Sequence, residues 1–261
     1  MCLAMSSLSN KNKALSLSKI NVKAGNKLIL KDISIILEPQ TIYTVIGPSG
    51  TGKSTLMNVL SGLSTIDSGN LFYGEEIYQP KNHVLGLVPQ NYGLLPWETA
   101  WKTVASNVKI SQKKRKLRTE DEEKIHDLFR AMNLENVKDS YPSQMSGGQQ
   151  QRVSITRAFG VDGDLLLMDE PFSALDAFTR EKTQKLFLDT WKNHPVTTFF
   201  ITHDIEEALL LGHKIVVMKG QPGEIHQVMD SPLNPIETLE EKRRQPDFYE
   251  YVNSLREEIQ A

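Results

Sequence analysis

Thr41-Ile42-Tyr43-Thr44-Val45-Ile46-Gly47-Pro48-Ser49-Gly50-Thr51-Gly52-Lys53-Ser54 passes from a strand-forming run into a glycine-rich loop, and Lys53 to Leu60 then suit a helix with Gly62 as its stop. A buried strand that runs into Gly47-Pro48-Ser49-Gly50-Thr51-Gly52-Lys53-Ser54 and on through Thr55 into a helix is the context of a phosphate-binding loop. Glycines let backbone N–H groups converge on phosphate oxygens, and the helix N-terminus adds positive potential. Lys53 can reach the β- and γ-phosphates, and the Ser54 hydroxyl can ligate Mg²⁺. By itself the loop implies only a nucleotide.

Outward from the loop, short β-type runs alternate with helix-type segments, which predicts an α/β fold with a largely parallel central sheet. Leu15 to Val22 and Leu28 to Leu37 read as early strands, an antiparallel pair joined through Ala24-Gly25-Asn26. Val84 to Val88, Leu165 to Met168 and Val196 to Ile201 read as core strands, with Ile215 to Met218 and Glu224 to Val228 completing the sheet near its edge. Between Trp97 and Arg157 the pattern is helical and charged without a strand, a helical subdomain inserted between sheet strands. Thr119 and Glu122 have capping-box spacing, so a helix is expected from there to Met132. The basic run Lys113-Lys114-Arg115-Lys116-Leu117-Arg118 before it reads as a solvated linker, with contact to anionic lipid headgroups as the alternative. From Ser231 the chain is proline-punctuated, then helical from about Asp247, where Phe248, Tyr251, Val252, Leu255 and Ile259 share helical spacing.

Composition removes several function classes. Of 261 residues 24% are charged and 39% hydrophobic, with a net charge of −2, so no global electrostatic case exists for binding nucleic acid. The single cysteine, Cys2, forms no internal disulfide and fits a reducing cytosol. No apolar run approaches the roughly 18–20 residues of a membrane span, and the N-terminal Met1 to Lys13 lacks the apolar core of a signal peptide. The expectation is a soluble chain that works at a membrane only through a partner.

Four further features carry chemistry. Ser146-Gly147-Gly148-Gln149-Gln150-Gln151-Arg152 places two glycines where a helix begins, leaving N–H groups bare as a second anion site. Leu165 to Met168 is an apolar strand that ends in Asp169 and Glu170; Asp169 can hold the Mg²⁺ shell and Glu170 can orient or deprotonate water, although any strand can end in acids. His203 follows Val196 to Thr202 at the end where α/β sheets place ligands, either as a γ-phosphate partner or as a solvent-facing histidine. Gln90 follows Val84 to Val88, where its amide can touch Mg²⁺ or water; beyond it, Leu94-Leu95-Pro96-Trp97 is either core or a partner-binding surface.

The order of these features is more specific than any one of them: the glycine loop, Gln90, Ser146 to Arg152, Asp169-Glu170, Ser173-Ala174-Leu175-Asp176 and His203. In this order the chain resembles the ATP-binding subunit of an ABC transporter over nearly its whole length. The resemblance implies a P-loop NTPase with a RecA-like, mostly parallel core, an N-terminal antiparallel β region and the inserted helical subdomain. Residues 1–230 would form one ATPase domain, the subdomain occupying about 97–157, and 231–261 a C-terminal helical tail. It also implies ATP and Mg²⁺ as ligands and a homodimer that sandwiches two ATP molecules. Each ATP would sit on one subunit's Gly47 to Thr55 and be closed by the other's Ser146, Gly147, Gly148, Gln149 and Asp176. The roles so implied are Lys53 for phosphate charge, Ser54, Gln90 and Asp169 for the metal, Glu170 for water, and His203 and Gln90 as γ-phosphate reporters.

Leu94 to Trp97 and Pro222-Gly223-Glu224-Ile225 are similar to the nitrate/sulfonate/taurine importer branch. This implies a separate membrane permease, docked near Tyr92, Leu95 and Trp97, an extracytoplasmic solute-binding protein, and residence on the cytoplasmic face of the membrane. A soluble family member working in DNA repair, translation or cofactor assembly is the competing expectation. Three departures from the family pattern stand out. Ala24 occupies the position of the aromatic that stacks on adenine, Met145 precedes Ser146 in place of leucine, and Gln40 replaces a turn glycine, which predicts a turn of different shape.

Overall fold

The computed structural model describes residues 12–233 and 237–260; Cys2 and the N-terminal stretch through residue 11 lie outside the described residues. The chain divides into two compact units, one from the residues up to His83 together with those from Val196 onward, the other Val84–Pro195.

In the first unit, β1 (Leu15–Ala24) and β2 (Lys27–Leu37) form the expected antiparallel hairpin, Ala24 facing Lys27 across a turn in which Gly25 has φ 60. Two strands that the pattern reading did not identify extend it: β4 (Ser68–Tyr73) pairs antiparallel with β1, and β5 (Glu76–Ile77) with β4. The second sheet of this unit is built on β3 (Ile42–Ile46), buried at all five residues. β8 (Thr197–Ile201) and β9 (Lys214–Lys219) flank it in parallel, and β10 (Glu224–Asp230) closes the edge antiparallel to β9. Helix α1 (Lys53–Ser61) buries Leu56, Met57, Val59 and Leu60 and stops at Gly62, whose φ of 78 lets its N–H reach the Asn58 and Val59 carbonyls.

Gln40 stands in the left-handed region with φ 52, where its N–H donates to Thr197 Oγ1 at 2.9 Å. The turn thus holds a left-handed residue without a glycine.

His213 ties the start of β3 to this sheet. Its N–H donates to the Ile42 carbonyl, and its Nδ1 accepts the Ile42 N–H, both at 2.9 Å. Burial, and secondarily the Lys242 charge, push His213 down from 6.5 to about 4. A folded value below the unfolded one means that folding expels a proton in acid. This contribution is intact above about pH 6.5 and is lost as pH falls toward 4. Between about pH 7.5 and 5 the loss is about 1–2 kcal/mol, allowing for the solvent-reached part of the ring. His213→Asn keeps an acceptor near the Nδ1 position without the titration. Urea unfolding of that variant is expected to be flatter with pH than the wild type by this amount; parallel curves would remove the role.

Helix α6 (Ile205–Leu211) is capped by Asp204, and the short α7 (Leu239–Arg244), also not anticipated, sends buried Lys242 to the Leu210 carbonyl at 2.7 Å. The final helix α8 (Phe248–Gln260) buries Phe248, Val252 and Leu255. Its Glu258 receives His226 Nε2 at 2.7 Å and Lys219 Nζ at 3.4 Å.

The second unit holds the parallel pair β6 (Leu85–Val88) and β7 (Leu165–Asp169) with four helices. These are α2 (Ala100–Ser111), α3 (Thr119–Ala131), α4 (Gly147–Gly160) and α5 (Ala177–Asn193). The start of α3 corrects the capping-box expectation. Arg118 is the cap residue, and the acid that reaches back to its N–H is Asp121, at 3.0 Å, not Glu122. Lys114 Nζ donates to the same carboxylate at 2.8 Å, and this ion pair, buried on the Asp121 side, decides the register. Lys114 is therefore not a freely solvated member of the basic run.

Candidate functional site

The phosphate loop lies in the first unit. Gly50 and Gly52 have φ of 84 and 82, conformations that side chains resist, and Gly52 caps α1 without offering any side-chain acceptor. A helix that starts without a side-chain cap is the kind of N-terminus that suits an external anion. The Lys53 ammonium folds back over the loop, donating to the Gly47 and Pro48 carbonyls at 2.8 and 2.9 Å. Pro48, Ser49, Gly50 and Ser54 are exposed, so the loop opens to solvent. β3 and β8 run parallel with Val45 opposite Ile201, which brings Gly47 and His203 to the carboxyl ends of adjacent strands. His203 is exposed there. One neighbour had no sequence signal: the Gln221 side-chain amide lies 2.7 Å from where a Cβ on Gly50 would stand.

The acidic pair lies in the second unit and is built by the same logic. β6 and β7 are parallel with Val88 opposite Met168, so Gln90 and Glu170 each stand two residues past paired positions. Gln90 Nε2 donates to Glu170 Oε2 at 3.2 Å. Glu170 has φ 45, and its carbonyl accepts from the Ser173 hydroxyl at 3.0 Å. A non-glycine residue held in that region is a strained position of the kind that gathers at functional sites. Asp176 caps α5, and hydrogen bonds from Thr179 hold its carboxyl below the ordinary carboxylate range.

Ser146 caps α4: its hydroxyl accepts the Gln149 N–H at 3.3 Å, and Gln149 Oε1 accepts the Ser146 N–H at 2.8 Å. This reciprocal box explains how a glycine pair can begin a helix. A Cβ on Gly148 would lie 2.4 Å from Thr179 Cγ2, so a larger residue there would fit only if the Thr179 side chain on α5 shifted. Ser146 and Gly147 face solvent. Met145 is buried, as a volume-conserving replacement for leucine would be. Beyond Gln90, Leu95 and Trp97 are 44% and 70% exposed, so this patch is surface and not core, while Tyr92 is half-buried. Ala24 is exposed at the hairpin end.

The family model described as ABC transporter matches residues 30–173, a span that contains the phosphate loop, Gln90, the Ser146 helix start and the acidic pair. The chain belongs to the ABC transporter family. The aliphatic sulfonates import ATP-binding protein SsuB of Bacillus thuringiensis subsp. konkukian is 39% identical over 213 residues, covering 81% of this chain and 82% of that protein. The taurine import ATP-binding protein TauB of Escherichia coli O157:H7 is 37% identical over 220 residues, 84% of each chain. Among solved structures, a dimeric ATP-binding cassette in a post-hydrolysis state, bound to ADP and Pi, is 27% identical with a TM-score of 0.69, covering 83% of this chain and 98% of that one. The expected fold, a P-loop α/β cassette of this family, is therefore the one observed.

ABC cassettes bind ATP, and the loop described above suits its phosphates: a helix start with no side-chain cap and a lysine folded over the loop. Among the described residues no group of three or more His, Cys, Asp or Glu could hold a metal by itself. Among the described residues no helix is long and apolar enough to cross a membrane.

Proposed function

We propose that this chain is the ATP-hydrolysing subunit of an importer for a small solute of the nitrate, sulfonate or taurine type, working as a homodimer on the cytoplasmic face of the membrane. The observation that carries the reading is the 39% identity to an aliphatic sulfonates import subunit over 81% of the chain, in which the Gln90–Glu170 pair is built and hydrogen-bonded. In this proposal residues 1–230 act as one ATPase domain with the helical segment 97–157 inserted and 231–261 as a tail. Lys53 neutralises phosphate charge, and the loop from Gly47 to Thr55 holds the triphosphate. Ser54 and Asp169, with Gln90, hold Mg²⁺, which supplies charge neutralisation at the phosphates when bound. Glu170 orients and deprotonates the attacking water, while His203 and Gln90 report the γ-phosphate. Ser146, Gly147, Gly148, Gln149 and Asp176 close over the nucleotide of the opposite subunit.

The exposed Leu95 and Trp97, with Tyr92 behind them, are the proposed contact for the permease. A solute-binding protein outside the membrane would deliver the cargo to that permease. Affinity purification of the chain from membranes is expected to recover a polytopic membrane protein, and Leu95→Glu with Trp97→Glu should lose it while retaining ATP binding. Recovery of ribosomes or DNA in its place would overturn the importer reading in favour of a soluble, non-transport ATPase.

A further inference from the structure

Arg157 is a half-buried cation of the second unit whose hydrogen-bond acceptors are all neutral. Its guanidinium donates to the Leu87 carbonyl at 3.3 Å, to the Tyr92 carbonyl at 3.1 Å, to Ser154 Oγ at 3.2 Å, and to the Gly93 carbonyl. Ser154 Oγ adds its own bond to the Tyr92 carbonyl at 2.7 Å. Among the described residues Arg157 takes part in no ion pair, and desolvation lowers its pKa. A part-buried guanidinium facing carbonyls and a hydroxyl but no carboxylate loses solvation without an ion pair, and what its planar fork provides is geometry: several acceptors fixed at once.

Two of those acceptors, the Tyr92 and Gly93 carbonyls, lie in one turn. Tyr92 and Gly93 are consecutive left-handed residues, φ 65 and 61, and a tyrosine persists there only where its surroundings over-determine it. The same turn meets α4 a second time, because the Tyr92 hydroxyl lies 3.3 Å from where a Cβ on Gly147 would stand. Arg157 and Gly147 are ten residues apart, about 15 Å along the helix. The turn is therefore hydrogen-bonded to α4 near its far end and lies close to its start. Gln90, on the entering limb of this turn, donates to Glu170.

We propose that Arg157, with Ser154, is a positioning residue for hydrolysis: it clamps the 89–93 turn to the helix that begins at Ser146 and so holds Gln90 in place against Glu170. The proposal rests on the assignment of Glu170 and Gln90 to the attacking water. It makes the Ser146 helix, the Gln90 turn and, beyond that turn, the exposed Leu95 and Trp97 parts of one mechanical element. Displacement at that surface is then delivered to both the Gln90–Glu170 pair and the helix start.

The test is a double-mutant cycle on the 261-residue chain, with phosphate release and ATP affinity read separately. Arg157→Lys keeps the charge and loses the fork. It is expected to lower kcat about tenfold with KM for ATP within about twofold, and in a Gln90→Ala background to lower kcat less than about twofold further. An equal fall in both backgrounds, or a parallel loss of ATP affinity, overturns the clamp. If Arg157→Lys does not yield folded protein, Ser154→Ala removes only the hydroxyl bonds and is judged by the same cycle. A wild-type chain that hydrolyses ATP-Mg with an additive cycle refutes the clamp alone. A wild-type chain that does not hydrolyse ATP-Mg refutes the ATPase assignment and the clamp with it.

Discussion

Glu170→Gln is expected to lower ATP turnover by about 10²–10⁴-fold, the scale of a lost general base, while ATP still binds and the dimer accumulates in its closed form. The backbone gives a specific reason to expect a clean effect. Glu170 already sits at φ 45, and glutamine meets the same conformational cost there, so no new strain is introduced. The replacing amide can still accept the hydrogen bond that Gln90 Nε2 makes to Oε2 at 3.2 Å. What disappears is the negative charge and the proton-accepting oxygen. Phosphate release, nucleotide retention and size-exclusion chromatography with ATP-Mg together read the outcome. Wild-type turnover in this variant would sink the role assigned to Glu170.

Ser146→Arg acts at the other proposed half of the site. It should spare ATP binding to the isolated subunit while lowering cooperative hydrolysis on the order of 10²-fold through failure of dimer closure. Ser146 is exposed and its hydroxyl caps α4 through the Gln149 N–H, so local stability falls by about 1 kcal/mol, far too little to unfold the chain. The added bulk and charge sit on the exposed start of α4, beside Gly147. Equilibrium ATP binding at subunit concentrations too low for dimerisation separates the two readings. If that binding fails along with hydrolysis, Ser146 serves its own chain's nucleotide and the two-subunit sandwich is wrong.

Much of the fold could be read from local pattern. The hairpin of β1 and β2, the strand–loop–helix of β3 and α1, and the parallel strands leading to Asp169 and to His203 all lie where periodicity and turn residues placed them. β4 was missed because Ser68-Gly69-Asn70 reads as loop, and its strand character comes from pairing with β1, Leu15 opposite Tyr73. The cap of α3 was misplaced by one residue for a related reason. Thr119 and Glu122 carry the right letters, but Lys114 and Arg118 both converge on Asp121, and a pair made in space outweighs a spacing rule.

The phosphate loop and the ordered motifs were decided by sequence because their chemistry is short-range. Gly50 and Gly52 hold φ of 84 and 82, conformations that other side chains resist, so the letters of the loop themselves set its path. The linkage between motifs was decided only by tertiary structure. Gln90 meets Glu170 across 80 residues because β6 and β7 are parallel and in register, and Arg157 holds the intervening turn through main-chain carbonyls. Every residue carries a carbonyl, so no letter in the sequence marks which ones a half-buried guanidinium will find.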